Sequence, residues 1–437
     1  MNRRTVLFSI SALALTGTLF AGAVPAPAAP PTATLPPVGA DFLWGVASSG
    51  FQTEGHAPDS NWTRYIAAGQ TADPYQDSVD FFDRYASDIA LAQQLGVRTY
   101  RISIEWARIQ PSPGVWDERG LKFYDDVVGA IVAAGMRPML TIDHWVYPGW
   151  EAGRGGWRND AMVSDWLANA RTVVDRYARF DPMWVTFNEP AMYIYQEFTH
   201  GGIGLTDAPV MADRITQAHN AIYDYIHRVQ PGAMVTSNDA YIPVVDGVLA
   251  LPVLDRIADR LDYIGIDYYY GLSIGAITPP DFTQPWRNPL QPEGIYYALR
   301  EYSKRFPGRP LYVVENGMPT DNGRPRTDGY TRAASLRDIV YWVQRAKADG
   351  MNIIGYNYWS ITDNYEWGSY SPRFGLYTVD VLTDPALTRR PTDAVAAYTD
   401  ITRAGGVAPD YRPSRAPAPC SLVAPPSSCG DPVTVPH

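Results

Sequence analysis

The feature that most constrains this chain is a repeated three-part rhythm between about residues 40 and 404. Val79, Phe82, Ala86 and Ile89 recur at helical spacing, and the stretch stops at Leu95-Gly96. A strand-like run follows, Val97 to Ile104. Leu121, Tyr124, Val128 and Ile131 recur helically and stop at Ala134-Gly135, and Met139 to Ile142 follows as a short apolar run. Late in the chain Asp349-Gly350 ends a helical stretch and Ile353 to Tyr356 comes next. A helix, a glycine stop and a short buried strand in alternation is the pattern of β/α units around a parallel sheet.

Eight candidate strands start near Phe42, Val97, Pro138, Met183, Met234, Tyr263, Leu311 and Ile353. Eight units predict an α/β fold, a single-domain (β/α)8 TIM barrel over residues 40–404. The alternative is an open doubly wound sheet. No GxGxxG or GxxxxGK[ST] stands at a strand–helix junction, which counts against its nucleotide-binding forms.

The chain has 437 residues, 46% hydrophobic and 19% charged, which is a globular balance. Its 36 basic and 46 acidic residues give a net charge of −10, and nucleic-acid binding would leave a basic footprint instead. Two cysteines exclude a disulfide-rich scaffold or a structural zinc site. Six histidines without an HxH or HExxH pattern argue against a metalloenzyme, so no metal and no cofactor are expected.

The ends read differently. Arg3-Arg4, the apolar run from Val6 to Val24 and Ala26-Pro27-Ala28 form an export signal over residues 1–28, and a secreted or extracytoplasmic protein is expected. A membrane anchor is the competing reading of that run; no second apolar span appears. Residues 29–39 read as an extended leader and 405–437 as a Pro-rich extended tail. Cys420 and Cys429 lie in that tail. In an exported chain they are expected to close a small disulfide loop, the alternative being two free thiols.

In a barrel the chemistry sits at the C-terminal ends of the strands. Two of those ends carry a glutamate after an apolar run: Glu189 in Thr186-Phe187-Asn188-Glu189-Pro190 and Glu315 in Val314-Glu315-Asn316-Gly317. Glutamate is a poor strand residue and is rarely buried alone. Two at one barrel mouth suggest a pair in which one carboxyl gives a proton and the other attacks or activates water. The bland alternative is that each glutamate pairs with an arginine for support.

These residues carry a resemblance to glycoside hydrolase family 1, the retaining β-glucosidase and β-galactosidase family. Beside the two glutamate motifs, Phe42 to Gly55, Tyr100 to Ile109, and Gly355-Tyr356 through Trp359-Ser360, Asp363-Asn364 and Glu366-Trp367 resemble its segments in order, over roughly residues 41–400. The resemblance implies Glu315 as nucleophile and Glu189 as acid, then base. Arg101 would hold Glu315 ionised and Tyr269 would hydrogen-bond it. Glu189 would be kept protonated by the neighbouring carboxylate until Glu315 is esterified. Gln52, His144, Asn188, Glu366 and Trp367 would hold the sugar, with Trp359 beneath its ring. His219, in a helical stretch, is read as structural.

A small-molecule β-glycoside or oligosaccharide is then the expected partner. The rival readings are a transglycosylase on the same site and an inactive sugar-binding barrel. Three departures from the family pattern stand out. Asp267 replaces the usual Asn of an Asn-Tyr-Tyr motif. Val146-Tyr147 stand where an acidic residue and Leu are usual. The run from Gly368 to Gly375 is one residue shorter than the common spacing.

Overall fold

The computed structural model describes residues 34–241, 253–275, 281 and 283–435. The export-signal segment, residues 1–28, lies outside them. Eight parallel strands close into a barrel. They are β1 (Leu43–Ala47), β2 (Thr99–Ser103), β3 (Arg137–Asp143), β4 (Met183–Asn188), β5 (Met234–Ala240), β6 (Ile264–Asp267), β7 (Leu311–Glu315) and β8 (Ile353–Trp359). Each begins within two residues of its expected start. The ring closes where β1 pairs with β8, from Leu43 opposite Gly355 to Ala47 opposite Trp359.

Most of the strands read as apolar runs because both faces are buried, whereas β2 (Thr-Tyr-Arg-Ile-Ser) and β5 (Met-Val-Thr-Ser-Asn-Asp-Ala) carry polar residues toward the cavity end. Inside the barrel Met139, Met183, Val185, Tyr263, Tyr312 and Val314 form a plug. Outside, helices cover the strands: Phe81–Gln94, Glu118–Ala133, Met162–Tyr177, Ala208–Val229, Gly294–Arg305, Arg332–Ala348 and Asp393–Ala404. Leu121, Tyr124, Val128 and Ile131 all face the core, as their spacing requires. The first of these helices starts at Phe81, two residues later than its apolar pattern suggests, because Asp80 sits at φ 59° and cannot belong to it. The helix stops are left-handed: Gly96 has φ 72° and Gly135 φ 79°, a conformation that favours glycine.

Two irregularities in the sheet shape the mouth of the barrel. On β4 the register slips between Val185 and Asn188. Thr186 bonds His219 on the outer helix layer and Phe187 stacks on Trp166 at 4.4 Å. On β7 Val313 pairs with Ile266 but Glu315 pairs with the very next residue, Asp267. An extra residue in one strand re-aims the side chains beyond it, and both slips fall immediately before the two strand-end glutamates.

The ends of the described chain are docked onto the barrel. The leader backbone bonds the start of the tail, Leu35 N to Pro409 O at 3.2 Å and Val38 N to Gly405 O at 2.9 Å. Gln344 clasps both, donating to Pro36 O and accepting from Val407 N. The stretch read as an extended tail is irregular in path but packed. Buried Asp338 accepts from Tyr411 Oη, Ser414 N and Oγ, and Arg415 N at 2.6–3.1 Å, and from Tyr330 Oη as well. Farther on, a disulfide joins Cys420 to Cys429, Leu422 N bonds Leu272 O, and Val423 is buried. Proline content predicts the lack of regular structure but not the docking, which depends on acceptors carried by distant helices. Among the described residues no helix is long and apolar enough to cross a membrane.

Candidate active site

The C-terminal ends of the strands surround a cavity of about 580 Å³. His144, Asn188, Glu189, Asp267, Tyr269, Glu315, Trp359, Glu366 and Trp367 all line it. One carboxyl oxygen from each of Glu189, Asp267 and Glu315 lies within 4.8 Å of the other two.

Glu315 ends β7 and is held from two sides. Arg101, fully buried on β2, forms an ion pair with its Oε1. Tyr269 Oη donates to its Oε2 at 2.7 Å. The Tyr269 hydroxyl remains a donor, because burial and then the Glu315 charge push its pKa well above 10. Arg101 is itself fixed: its Nε donates to Thr141 Oγ1 at 2.9 Å and its Nη2 to Asn188 Oδ1 at 2.6 Å. Buried cations are tolerated when each nitrogen is matched in this way.

Glu189 follows β4 at φ 39°, ψ 68° and caps the helix Pro190–Thr199. A non-glycine residue in the left-handed region stores roughly 1–3 kcal/mol, and such strain gathers at functional sites. Trp145 (φ 69°) and Trp367 (φ 45°), both on the cavity wall, share it. The Glu189 carboxyl is held protonated well above its ordinary range. Burial is the first cause and the Glu315 charge the second, whereas the sequence points to the neighbouring charge alone.

The remaining expected residues divide between the cavity wall and the layer behind it. Asn188 uses its carbonyl oxygen on Arg101 and on Asn238 Nδ2, which leaves its own amide nitrogen for a ligand. His144 stacks with Trp359 at 5.9 Å and Trp367 at 5.8 Å. Burial first, then Arg101, pushes its pKa well below 6.5, so the ring is a neutral imidazole. Glu366 is pushed up to about 8, by burial and then by Glu315. Gln52 does not line the cavity as expected. It is fully buried, and its amide nitrogen is taken by Asn364 Oδ1 (3.1 Å) and Glu366 Oε2 (3.3 Å), so it supports Glu366 instead. His219 lies in the outer layer between Thr186 and Arg260 O.

Asn238, at the end of β5, is a site residue that the motifs do not mark. It is buried and ties Asn188 to Asp267. A polar residue closing the run Met234-Val235-Thr236-Ser237 is the same strand-end signal used elsewhere, and it could have been found that way. The outer wall is equally unmarked: Met192 and Tyr195 come from the helix Pro190–Thr199, and Tyr270, Trp286 and Phe374 from segments between the barrel elements, and their apolar residues look like any others in sequence.

A closed (β/α)8 barrel with two buried carboxyls facing each other at its C-terminal mouth, one beside an arginine and one protonated, defines an O-glycoside hydrolase. The chain belongs to glycosyl hydrolase family 1, whose sequence model matches residues 34–244 and 276–407. Among curated proteins it is 26% identical to β-glucosidase A of Thermotoga maritima, over 84% of this chain and 98% of that one. It is also 26% identical to a chloroplastic galactolipid galactosyltransferase of Arabidopsis thaliana, over 80% of this chain but only 62% of that one. Of solved structures, a β-glycosidase from Pyrococcus horikoshii superposes with a TM-score of 0.74 at 25% identity, covering 85% of this chain and 96% of that one.

Proposed function

We propose that this chain is a retaining β-glycosidase that hydrolyses terminal β-O-glycosides, with a β-glucoside as its first substrate class. The observation that carries the reading is the close approach of Glu189 and Glu315, whose oxygens come within 4.8 Å. Retaining enzymes need such proximity, whereas inverting ones separate the carboxyls by roughly 6.5–9.5 Å to admit a water.

Glu315 attacks the anomeric carbon while Glu189 gives its proton to the departing oxygen. The first product is the free aglycone and the second a glycosyl ester on Glu315. Arg101 and Tyr269 keep the attacking carboxylate in one orientation, so little reorganisation is needed. Once Glu315 is esterified its charge is gone, and Glu189, now a carboxylate, takes a proton from the incoming water. The sugar ring lies on Trp359, with its hydroxyls facing Asn188, His144 and Glu366.

The test is NMR of the sugar released from aryl β-glycosides. A β-anomer appearing first is expected. An α-anomer first would break the assignment of the two carboxyls.

A second reading has its own support. The galactosyltransferase relative and the aromatic outer wall favour passing the glycosyl group to an alcohol rather than to water. Product analysis with added alcohol acceptors separates the two. Export is also part of the proposal; it rests on residues 1–28 and on a disulfide that an oxidising compartment would preserve.

A further inference from the structure

The family's usual asparagine at the end of β6 is an aspartate here, and its surroundings are those of a carboxylic acid, not of a carboxylate. Asp267 is 1% exposed. Its Oδ2 accepts from Asn238 Nδ2. Its Oδ1 meets no N–H or O–H donor among the described residues. One of its carboxyl oxygens lies within 4.8 Å of an oxygen of Glu189 and of one of Glu315. Three buried carboxyls this close, beside one guanidinium that is already paired with Glu315, cannot all be ionised, and neither Asp267 nor Glu189 has a cation of its own among the described residues.

We propose that Asp267 keeps its proton through the reaction and donates a hydrogen bond to Glu189, making it a positioning residue for the acid/base group. The proposal rests on the β-glycosidase reading and goes beyond it.

The charged and titratable groups acting on the pair come from every neighbouring strand. Glu315 on β7 and Asp239 on β5 oppose a further negative charge, as does the Tyr269 hydroxyl if it ionises; Arg101 on β2 is the cation, already paired with Glu315. Burial and Glu315 then hold the Asp267 proton well above the ordinary carboxylate range. In the first step Glu189 loses its proton to the departing oxygen as the glycosidic C–O bond breaks and the ester C–O bond forms on Glu315. The Asp267 O–H then faces a new carboxylate and stabilises it. In the second step water attacks the anomeric carbon, its proton goes to Glu189, and Glu315 leaves as carboxylate. Asp267 starts and ends protonated. The donor makes Glu189 a stronger acid and a weaker base, so it favours formation of the glycosyl ester over its hydrolysis. That lengthens the time in which an alcohol can compete with water.

The experiment compares the parent with Asp267→Ala, Asp267→Asn and Glu189→Gln, using phenyl and 2,4-dinitrophenyl β-glucosides across pH. The alkaline limb of kcat/KM reports Glu189 in the free enzyme. Removing a donor to its ionised form raises its pKa, so the limb should move up by about one unit or more in Asp267→Ala. Asp267→Asn keeps size, the Asn238 bond and an N–H donor, and should move it the same way but less; it carries the test if the alanine variant fails to fold. Hydrolysis of the phenyl glucoside, which needs the acid, should fall about tenfold or more in Asp267→Ala. The dinitrophenyl substrate should be nearly unaffected in its first step. A limb that moves down would show that Asp267 is an ionised neighbour and overturn the proposal. So would an equal loss on both substrates with an unmoved limb, which is a structural role only. Glu189→Gln matching the parent on phenyl glucoside would overturn the glycosidase reading itself.

Discussion

At the scale of single residues the site separates two carboxyls of one kind by their neighbours. Glu315 has a guanidinium and a phenol, and Glu189 has burial and other carboxyls. Replacing Glu315 by Gln should reduce hydrolysis of an aryl β-glucoside by about a thousandfold or more. Binding of the sugar, measured by calorimetry, should survive; equal turnover in variant and parent would remove Glu315 from its role. Replacing Glu189 by Ala should cost about 10²–10⁴ on substrates with poor leaving groups. Added azide should restore turnover of the dinitrophenyl glycoside and give a β-glycosyl azide, since a small anion needs no general base. The two glutamates stand out in the sequence because each ends an apolar strand-like run, whereas the roles of Arg101 and Tyr269 are legible only through the order of the family motifs. Gln52 sits one layer behind its expected place. Which of two facing amides and carboxyls reaches the cavity depends on hydrogen-bond partners from Asn364 and Glu366, more than 300 positions away in the chain.

At the scale of elements the helix–glycine–strand rhythm is explicit at three places and the count of short runs marks all eight barrel strands, since burial on both faces leaves most of them apolar. It carries nothing of the slips on β4 and β7, because an extra residue in a strand changes pairing without changing composition. The tail is less legible still. Asp338 collects five hydrogen bonds, four of them from residues 411–415. Removing the acceptor strands those donors, so Asp338→Ala should destabilise the fold by about 2–4 kcal/mol. The check is thermal unfolding together with limited proteolysis. The tail should be cut in the variant under conditions where the parent is resistant; an unchanged digestion pattern would mean the docking is held elsewhere.

Taken as a whole, the molecule buries several acids away from cations. Burial lifts Glu105 to about 8, with Glu54 the next cause, Asp143 to about 7, and Glu366 to about 8. An acid with a raised folded pKa stabilises fully below its unfolded value near 4 and loses that contribution as pH rises through the folded value. Asp328 goes the other way. Its folded pKa is lowered to about 2, although burial opposes the shift, by hydrogen bonds from Arg326, the Tyr330 backbone and Arg415. Its contribution is therefore present above about 4 and lost as pH falls. Together these place maximal stability on the acid side of neutrality, and the melting temperature should fall between about pH 5 and 8. Glu105→Gln should flatten that slope. A melting temperature that holds or rises over the same interval would contradict the balance of shifts.

The seam between β1 and β8 has a consequence in time. A chain emerging from the ribosome delivers its first strand early and that strand's second partner only at residues 353–359. Until then the sheet is open, and β1 presents one unpaired row of backbone donors and acceptors to whatever is nearby. The leader at Leu35 and Val38 waits longer still, for residues 405–409. Barrel closure therefore waits for residues 353–359, and until they arrive the nascent protein is a growing ribbon with a sticky first edge, dependent on whatever shields that edge.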